Sequence, residues 1–413
     1  MGKKTSLLIA SLGLWLLVAP MSFGFACSKM WANDCICGFL LIILGFCAIQ
    51  PIGKKAAILL SALVGLWLQL APLFFWAPES ASYLNDTFVG MIVMILAFSS
   101  KELVGQDEGE ETPPGWSFNP SSRGPRSVTV FLALIAWFLA RYLASYQLGY
   151  VHEIKDPFFG DGTVTVISSS LAKGFPISDA GLGAFGYSLE FLLGLIGSAK
   201  RWKTMPWVSI LFGMMVIPAG MMSLLLIVLQ PLIVGAFCGI CLFIAVCMLI
   251  MILLTIPEMA ATVQVLLKAK KNGHFWSVFW KGDLSNPLAP SKPLARNLTS
   301  EFGFTLQWNL FLTAILGVWV MLSPSLFGDL HPASDSNYVV GPLLIALSVI
   351  SFSEIARPLR FVNILLVCGL ILSAFVLSGF SRLGFMSNLA SGTFMCALCF
   401  PKGKQRELYG SKK

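Results

Sequence analysis

Apolar stretches of about 20 residues, the length a helix needs to cross a bilayer, recur along this chain from end to end. Twelve candidate spans can be drawn, at residues 5–25, 36–52, 56–77, 87–100, 128–149, 178–198, 207–230, 233–255, 303–326, 339–353, 361–380 and 384–400. That pattern points to one fold class, an all-α integral membrane protein, because a helix satisfies its own backbone polar groups in hydrocarbon. The composition agrees, with 56% of residues hydrophobic and 12% charged.

The side on which the cations fall sets the topology. With the N-terminus in the cytoplasm and the spans alternating, all but five of the 28 Lys and Arg fall on inner segments; the five are Lys29, Arg141, Lys155, Lys173 and Arg382. The formal net charge of +8 then reads as topology and attraction to anionic lipid, and calls for no nucleic-acid partner. Both termini are expected in the cytoplasm. Lys3 and Lys4 ahead of an apolar core could pass for a signal peptide, but the same segment recurs inside the chain as a repeat.

That repeat begins as Gly13-Leu-Trp15-Leu-Leu-Val-Ala19-Pro20, followed by Asn33-Asp34 and Gly38. Fifty-two residues on it returns as Gly65, Trp67, Ala71 and Pro72, followed by Asn85-Asp86 and Gly90. A third copy has Gly317, Trp319, Ser323 and Pro324, with Asn337 thirteen residues after the Pro. A degenerate fourth starts at Gly369, with Ile371 and Val376 in place of Trp and Pro, and keeps Asn388 and Gly392. Trp suits a membrane interface, Pro ends or kinks the first helix, and Gly lets helices approach. The unit resembles the SPW repeat of bacterial membrane proteins. The resemblance implies architecture, two spans per copy joined outside, and a bacterial plasma membrane as the location.

Domain limits follow. Residues 1–100 and 303–400 are repeat pairs of four spans each. Residues 101–127 are a cytoplasmic linker with an acidic run at Asp107–Glu111, and 401–413 a basic cytoplasmic tail. Residues 257–302 form a second linker, in which Glu258–Trp280 is amphipathic enough to lie on the inner membrane surface.

The central segment, residues 128–256, has a different texture: four spans, a long outer loop from Tyr150 to Ile177, and Cys238-Gly239-Ile240-Cys241 at the outer end of the fourth span. Together with Ser178-Asp179-x-x-x-Gly183-x-x-x-Tyr187-x-Leu189, these features resemble the vitamin K epoxide reductase family. The resemblance implies a four-helix bundle that passes electrons from external thiol proteins through the Cys pair to a membrane quinone. It implies Cys238 and Cys241 as the catalytic pair, Cys238 exchanging with other thiols and Cys241 meeting the quinone. Ser178, Asp179 and Tyr187 are the implied quinone contacts. The sequence departs from the family in three places. The outer loop has no cysteine where the family has a relay pair, Asp179 stands where an Asn is common, and an aromatic is missing near Ala245.

Read without the family, two cysteines three apart on a helix share a face, with Cβ atoms roughly 5–6 Å apart. A disulfide wants about 3.5–4.5 Å, so the helix must tighten, which Gly239 eases. Starting the span after Pro231 places Cys238 about 9–10 Å inside it. The alternative reading of the pair is apolar packing. Ser178 or Asp179 would equally serve as an ordinary helix N-cap. Glu190, about three turns into its span, would be a proton relay or a structural hydrogen-bond anchor. Cys27, Cys35 and Cys37, on the outer side of the first repeat, would be a substitute electron relay or small residues in a tight outer turn. Cys396 and Cys399 repeat the Cys-x-x-Cys spacing on the reducing side and read as packing. Arg141 is expected to snorkel. His152, Asp156 and Asp161 match no defined metal spacing, and no metal is expected.

Three functions are thus in view: a quinone-linked thiol–disulfide oxidoreductase, a non-catalytic scaffold or lipid- and quinone-binding protein on the same fold, and a transporter. Repeats that flank a central unit, rather than forming two related halves, weigh against the last.

Overall fold

The computed structural model describes residues 3–98, 111–174, 176–283 and 302–401. Most of the acidic run, residues 284–301 and the basic tail from 402 lie outside the described residues. Among the described residues, twelve long helices overlap the expected spans: α1 Lys3–Phe23, α2 Ser28–Cys47, α3 Lys54–Phe74, α4 Ser80–Phe98, α5 Arg123–Gln147, α6 Asp179–Leu195, α7 Pro206–Leu229, α8 Gly239–Lys271, α9 Trp308–Phe327, α10 Ala333–Ile350, α11 Arg360–Val376 and α12 Arg382–Cys399. Ten of the described helices are long and apolar enough to cross a membrane. The two outside that set are α6, with 17 residues, and α12, which carries Ser387, Asn388, Ser391 and Thr393. The protein is an all-α, multi-pass integral membrane protein.

Contacts divide the chain into two compact units. The first comprises Met1–Gly109, Val130–Lys155 and Ile167–Arg201, the second Glu110–Thr129, Asp156–Val166 and Trp202–Lys413.

In the first unit the repeats explain themselves. Lipid tails are as apolar as Leu, so membrane helices associate by close packing rather than by hiding apolar surface from water. The glycines permit that packing. A Cβ on Gly13 would sit 2.6 Å from the Gly38 carbonyl oxygen and 2.9 Å from the Ile42 nitrogen, and one on Gly65 would sit 2.7 Å from the Gly90 oxygen. The tryptophans then join one copy to the other. Trp15 Nε1 donates to Asn85 Oδ1 and Trp67 Nε1 to Asn33 Oδ1, both at 2.8 Å. Ile9, Leu16, Leu41, Leu68 and Val93 fill the space between the copies. An interhelical hydrogen bond in a membrane contributes only about 0.6 kcal/mol on average, so these bonds set register while the glycine crossings set distance.

Helix α5 docks on this four-helix unit through polar groups. Trp137 Nε1 donates to Gln69 Oε1 at 2.9 Å, and Arg141 donates to Thr87 Oγ1 at 2.6 Å and to the Leu84 carbonyl at 2.8 Å. Arg141 is expected to snorkel. Instead, its guanidinium lies over the Trp137 and Tyr83 rings and binds α4. Buried Arg201 closes the C-terminal end of α6 by donating to the carbonyls of Leu193, Gly194 and Ile196.

The second unit repeats the device with other residues. The Gly317–Gly341 crossing is again backbone to backbone, a Cβ on Gly317 lying 3.0 Å from the Gly341 oxygen. Trp319 Nε1 donates to Ser387 Oγ at 2.8 Å. Val320, Leu344, Val367, Leu370 and Met395 form the core between the copies.

Several bounds differ from the sequence expectation: α4 starts at Ser80 and not at 87, and α10 at Ala333 and not at 339, while α2 and α8 change the reading of candidate residues. α2 starts at Ser28, eight residues before the expected span, so Cys35 and Cys37 lie in a helix and not in an outer turn. The polar Asn33 and Asp34, which argue against a span by hydropathy, are buried inside the repeat pair. α8 continues through Pro257 to Lys271, so Glu258 does not open a surface-lying segment. Its buried carboxylate accepts from Ser121 Oγ at 2.5 Å and Ser209 Oγ at 3.3 Å. Only the short helix Phe275–Lys281, with Trp276 and Trp280 exposed, stands apart from it.

A Gly13→Ala variant forces α1 and α2 apart and lowers stability by about 1–3 kcal/mol, the usual cost of overpacking. In Gly186→Ala the added methyl meets nothing within 4 Å, and stability is unchanged or slightly higher. Thermal unfolding of both variants in detergent checks the contrast.

Candidate redox site around Cys238 and Cys241

The site begins where α7 gives way to α8. Gln230–Val234 forms a single wide π-type turn, and Gly235 closes it with φ +74°. That left-handed backbone is open to glycine at no steric cost. Ala236 to Cys238 then run outside any helix, and α8 starts at Gly239. Cys238 is therefore the N-cap, with φ −100° and ψ 110°, and not a residue already inside the helix. The glycine turn, not Pro231, decides where the helix begins.

This backbone removes the spacing difficulty. With Cys238 extended and Cys241 in the first turn, the pair is joined as a disulfide with its Cα atoms 5.2 Å apart, inside the usual range. Both cysteines lie at the end of a helix whose unsatisfied N–H groups carry partial positive charge. Cys238 Sγ accepts the Cys241 N–H at 3.1 Å, taking the place of a capping oxygen. The Cys238 N–H donates to Gln230 Oε1 at 3.0 Å.

Another first-turn donor is met from the loop. Gly239 N–H donates to Asp156 Oδ2 at 2.7 Å. Asp156 Oδ1 accepts the N–H groups of Phe158 and Phe159 at 2.9 and 3.0 Å, the turn an Asp-Pro sequence favours. Thr163 Oγ1, in the short helix Gly162–Ile167, donates to Asp156 Oδ2 at 2.5 Å and lies 3.4 Å from Cys238 Sγ. The stronger acceptor, the carboxylate, takes the hydroxyl hydrogen. The approach is close: a Cβ on Gly162 would sit 2.3 Å from the Phe237 carbonyl oxygen, and one on Gly239 2.5 Å from Asp156 Oδ1. Burial alone would raise the Asp156 carboxyl, but the hydrogen bonds from Thr163, Phe158, Gly239 and Phe159 outweigh it and hold the group below its ordinary value.

The two sulfurs differ in access. Cys238 is fully buried and Cys241 half-buried. Cys241 packs against a buried cluster of Ile227, Phe237, Ala245 and Met321, to which Leu242 and Tyr338 also pack. The Phe237 ring packs on Phe159 at 5.5 Å and on Tyr338 at 5.7 Å. The second repeat pair thus supplies part of the apolar wall beside the disulfide.

The other expected site residues lie in the first unit. Ser178 is the N-cap of α6: its Oγ accepts the Gly181 N–H at 2.9 Å and donates to Gln147 Oε1 at 2.5 Å. Asp179 Oδ1 accepts from Gln147 Nε2 and, at 2.8 Å, from the Ala180 N–H. Tyr187 is buried. Glu190 is 1% exposed, and neither carboxyl oxygen has a hydrogen-bond partner among the described residues. Its hydrogen-bond-anchor reading therefore finds no partner there. Cys27, Cys35 and Cys37 are free thiols; Cys27 is the N-cap of α2, and Cys37 is buried with its Sγ 3.7 Å from Asn33 Oδ1. Cys396 and Cys399 are also free.

Sequence reasoning missed Asp156, Thr163 and Gln230 as parts of the site. The Asp156-Pro157 pair was the available signal, since an Asp before Pro favours a side-chain-closed turn.

Replacing Asp156 by Asn removes the charged acceptor of Gly239 and Thr163 and lowers stability by about 1–3 kcal/mol at neutral pH. Because the folded carboxyl sits below its ordinary value, its contribution is complete above about pH 4. It is lost as pH falls through the lower folded value. Thermal unfolding of wild type and Asp156→Asn across pH checks this: the gap is present at neutral pH and closes in acid.

Two family models match the chain. The vitamin K epoxide reductase family matches residues 127–256, and the SPW repeat domain matches residues 3–100 and 307–400. No curated protein and no solved structure matches. The first match points to an oxidoreductase of the membrane, and the helix-capping disulfide lies within it. The chain is a multi-pass membrane protein in which a region that matches the vitamin K epoxide reductase family lies between two segments that match the SPW repeat domain.

Proposed function

We propose that this protein is a quinone-linked thiol–disulfide oxidoreductase whose redox element is the Cys238–Cys241 pair. The observation that carries the reading is the disulfide at the N-terminus of α8, held by Asp156 and Thr163 inside the family-matched region. A partner dithiol outside the membrane gives two electrons and two protons to the disulfide and is itself oxidised. The resulting Cys238–Cys241 dithiol gives two electrons and two protons to a quinone, which leaves as the hydroquinone, and the disulfide re-forms.

Access decides the order of events at the sulfurs. Cys241 is the half-buried member and Cys238 is fully buried, so, the reverse of the roles the resemblance implies, an incoming thiolate attacks Cys241 Sγ and Cys238 Sγ is the leaving sulfur. Charge that develops on Cys238 faces the Cys241 N–H at 3.1 Å. The apolar side chains around Cys241 suit an apolar ring and exclude water from the exchange. Ser178, Asp179 and Tyr187 as quinone contacts, Glu190 as a proton relay, and Cys27, Cys35 and Cys37 as an electron relay belong to this proposal. The distribution of Lys and Arg supports a plasma membrane of bacterial type, both termini in the cytoplasm and the Cys pair on the outer side.

A second reading, a scaffold or lipid- and quinone-binding protein on the same fold, is favoured by one observation: residues 150–177 contain no cysteine to relay electrons from a partner. Turnover separates the two. Purified full-length protein given dithiothreitol and a soluble quinone is expected to form hydroquinone faster than buffer does. Cys238→Ser and Cys241→Ser are expected to fall to the buffer rate. Equal rates in wild type and both variants would leave the scaffold reading.

A further inference from the structure

The first repeat pair buries two carboxyl groups, one from each copy. Asp34 on α2 and Asp86 on α4 stand 52 residues apart, at the same position of two copies, and both are 0% exposed. Each Oδ1 accepts an amide hydrogen from the preceding residue, Asn33 and Asn85 respectively, at 3.2 Å. Neither Oδ2 has an N–H or hydroxyl donor among the described residues. Ionised carboxylates only accept, so nothing among the described residues satisfies either Oδ2 while both groups are ionised; a hydrogen carried by one carboxyl is the donor the other lacks.

The second repeat pair shows what the position requires. Asn337 and Asn388 stand four residues before Gly341 and Gly392, as Asp34 and Asp86 stand four before Gly38 and Gly90. Asn337 Nδ2 donates to Asn388 Oδ1 at 3.0 Å, and Asn388 Nδ2 donates to Asn337 Oδ1 at 2.7 Å. The amides bring their own hydrogens to the contact. The carboxyl pair occupies the same place in the fold with oxygens alone and must take its hydrogen from solution. Without it, two negative charges would meet where water does not reach, which buried charge does not tolerate unpaired.

We propose that Asp34 and Asp86 form a proton-binding site in the first repeat pair, holding at least one proton between them at neutral pH. The step is a simple uptake: one proton from solution forms an O–H bond on one carboxyl, which donates to the other, with no change of oxidation state. The site divides the repeats chemically. The first pair is closed by an exchangeable proton, the second by fixed amide hydrogens.

Infrared spectroscopy of the purified full-length protein at pH 7, in water and in deuterium oxide, tests this. Wild type is expected to show a carboxylic-acid carbonyl band that shifts on deuteration and is reduced in Asp34→Asn/Asp86→Asn, any Glu190 signal being common to both. The double Asn variant copies the pair of the second repeat and is expected to unfold near the wild-type temperature. If it fails to fold, Asn337→Asp/Asn388→Asp provides the reverse test, with gain of such a band. An unchanged acid band in the first variant, or no gain in the second, overturns the proposal. So do carboxylate bands at Asp34 and Asp86 that move when sodium replaces potassium, since the pair would then be ionised around a cation.

Discussion

The Asp156 carboxylate ties the loop after α5 to the helix that carries Cys241. It accepts two N–H groups of its own turn, the Thr163 hydroxyl and the Gly239 N–H at once. A carboxylate aimed at a helix N-terminus is a favourable electrostatic arrangement, and here it fixes the loop within contact distance of Cys238. The backbones of Gly162 and Phe237 then meet at a separation that leaves no space for a side chain. The buried sulfur, the extended N-cap and the half-exposed second sulfur all follow from that anchoring.

The same unit also shows what the flanking repeats contribute. Met321 and Tyr338, from the second repeat pair, pack in the cluster that includes Cys241 and Phe237. The second repeat pair is therefore part of the surroundings of the disulfide. The internal logic of the repeats is a glycine crossing for distance and a Trp hydrogen bond for register, with a polar pair closing the middle. Copies can exchange Asn85 for Ser387 as the Trp acceptor, or a carboxyl pair for an amide pair, and keep the packing.

Much of this was legible in the sequence, for physical reasons. Helices in lipid must be long and apolar, so their number and order can be read from hydropathy, and the 52-residue offset with its Trp, Pro and Gly marks exposes the repeat. What hydropathy misplaces are segments whose polar groups are satisfied by partners distant in sequence. Asn33 and Asp34 hid the first two turns of α2, and Glu258, bonded to Ser121 and Ser209, hid the continuation of α8. Trp15, Trp67 and Trp319 suit a membrane interface by residue type, whereas their indole nitrogens bind the neighbouring copy. In the site, the Cys pair was visible as a motif, but its place at the N-cap was not. That depends on Gly235 adopting a left-handed backbone and on Asp156 arriving from 83 residues away.

The central claim is that Cys238 and Cys241 form a reversible disulfide in the membrane. The most direct measurement is differential alkylation of the two cysteines in isolated membranes poised across a series of thiol–disulfide ratios, read by mass spectrometry, with and without added quinone. The account predicts that both cysteines gain and lose label together in one two-electron transition, and that quinone returns a reduced pair to the unlabelled, oxidised state. Cysteines that stay fully alkylated under oxidising conditions and do not respond to quinone would contradict it.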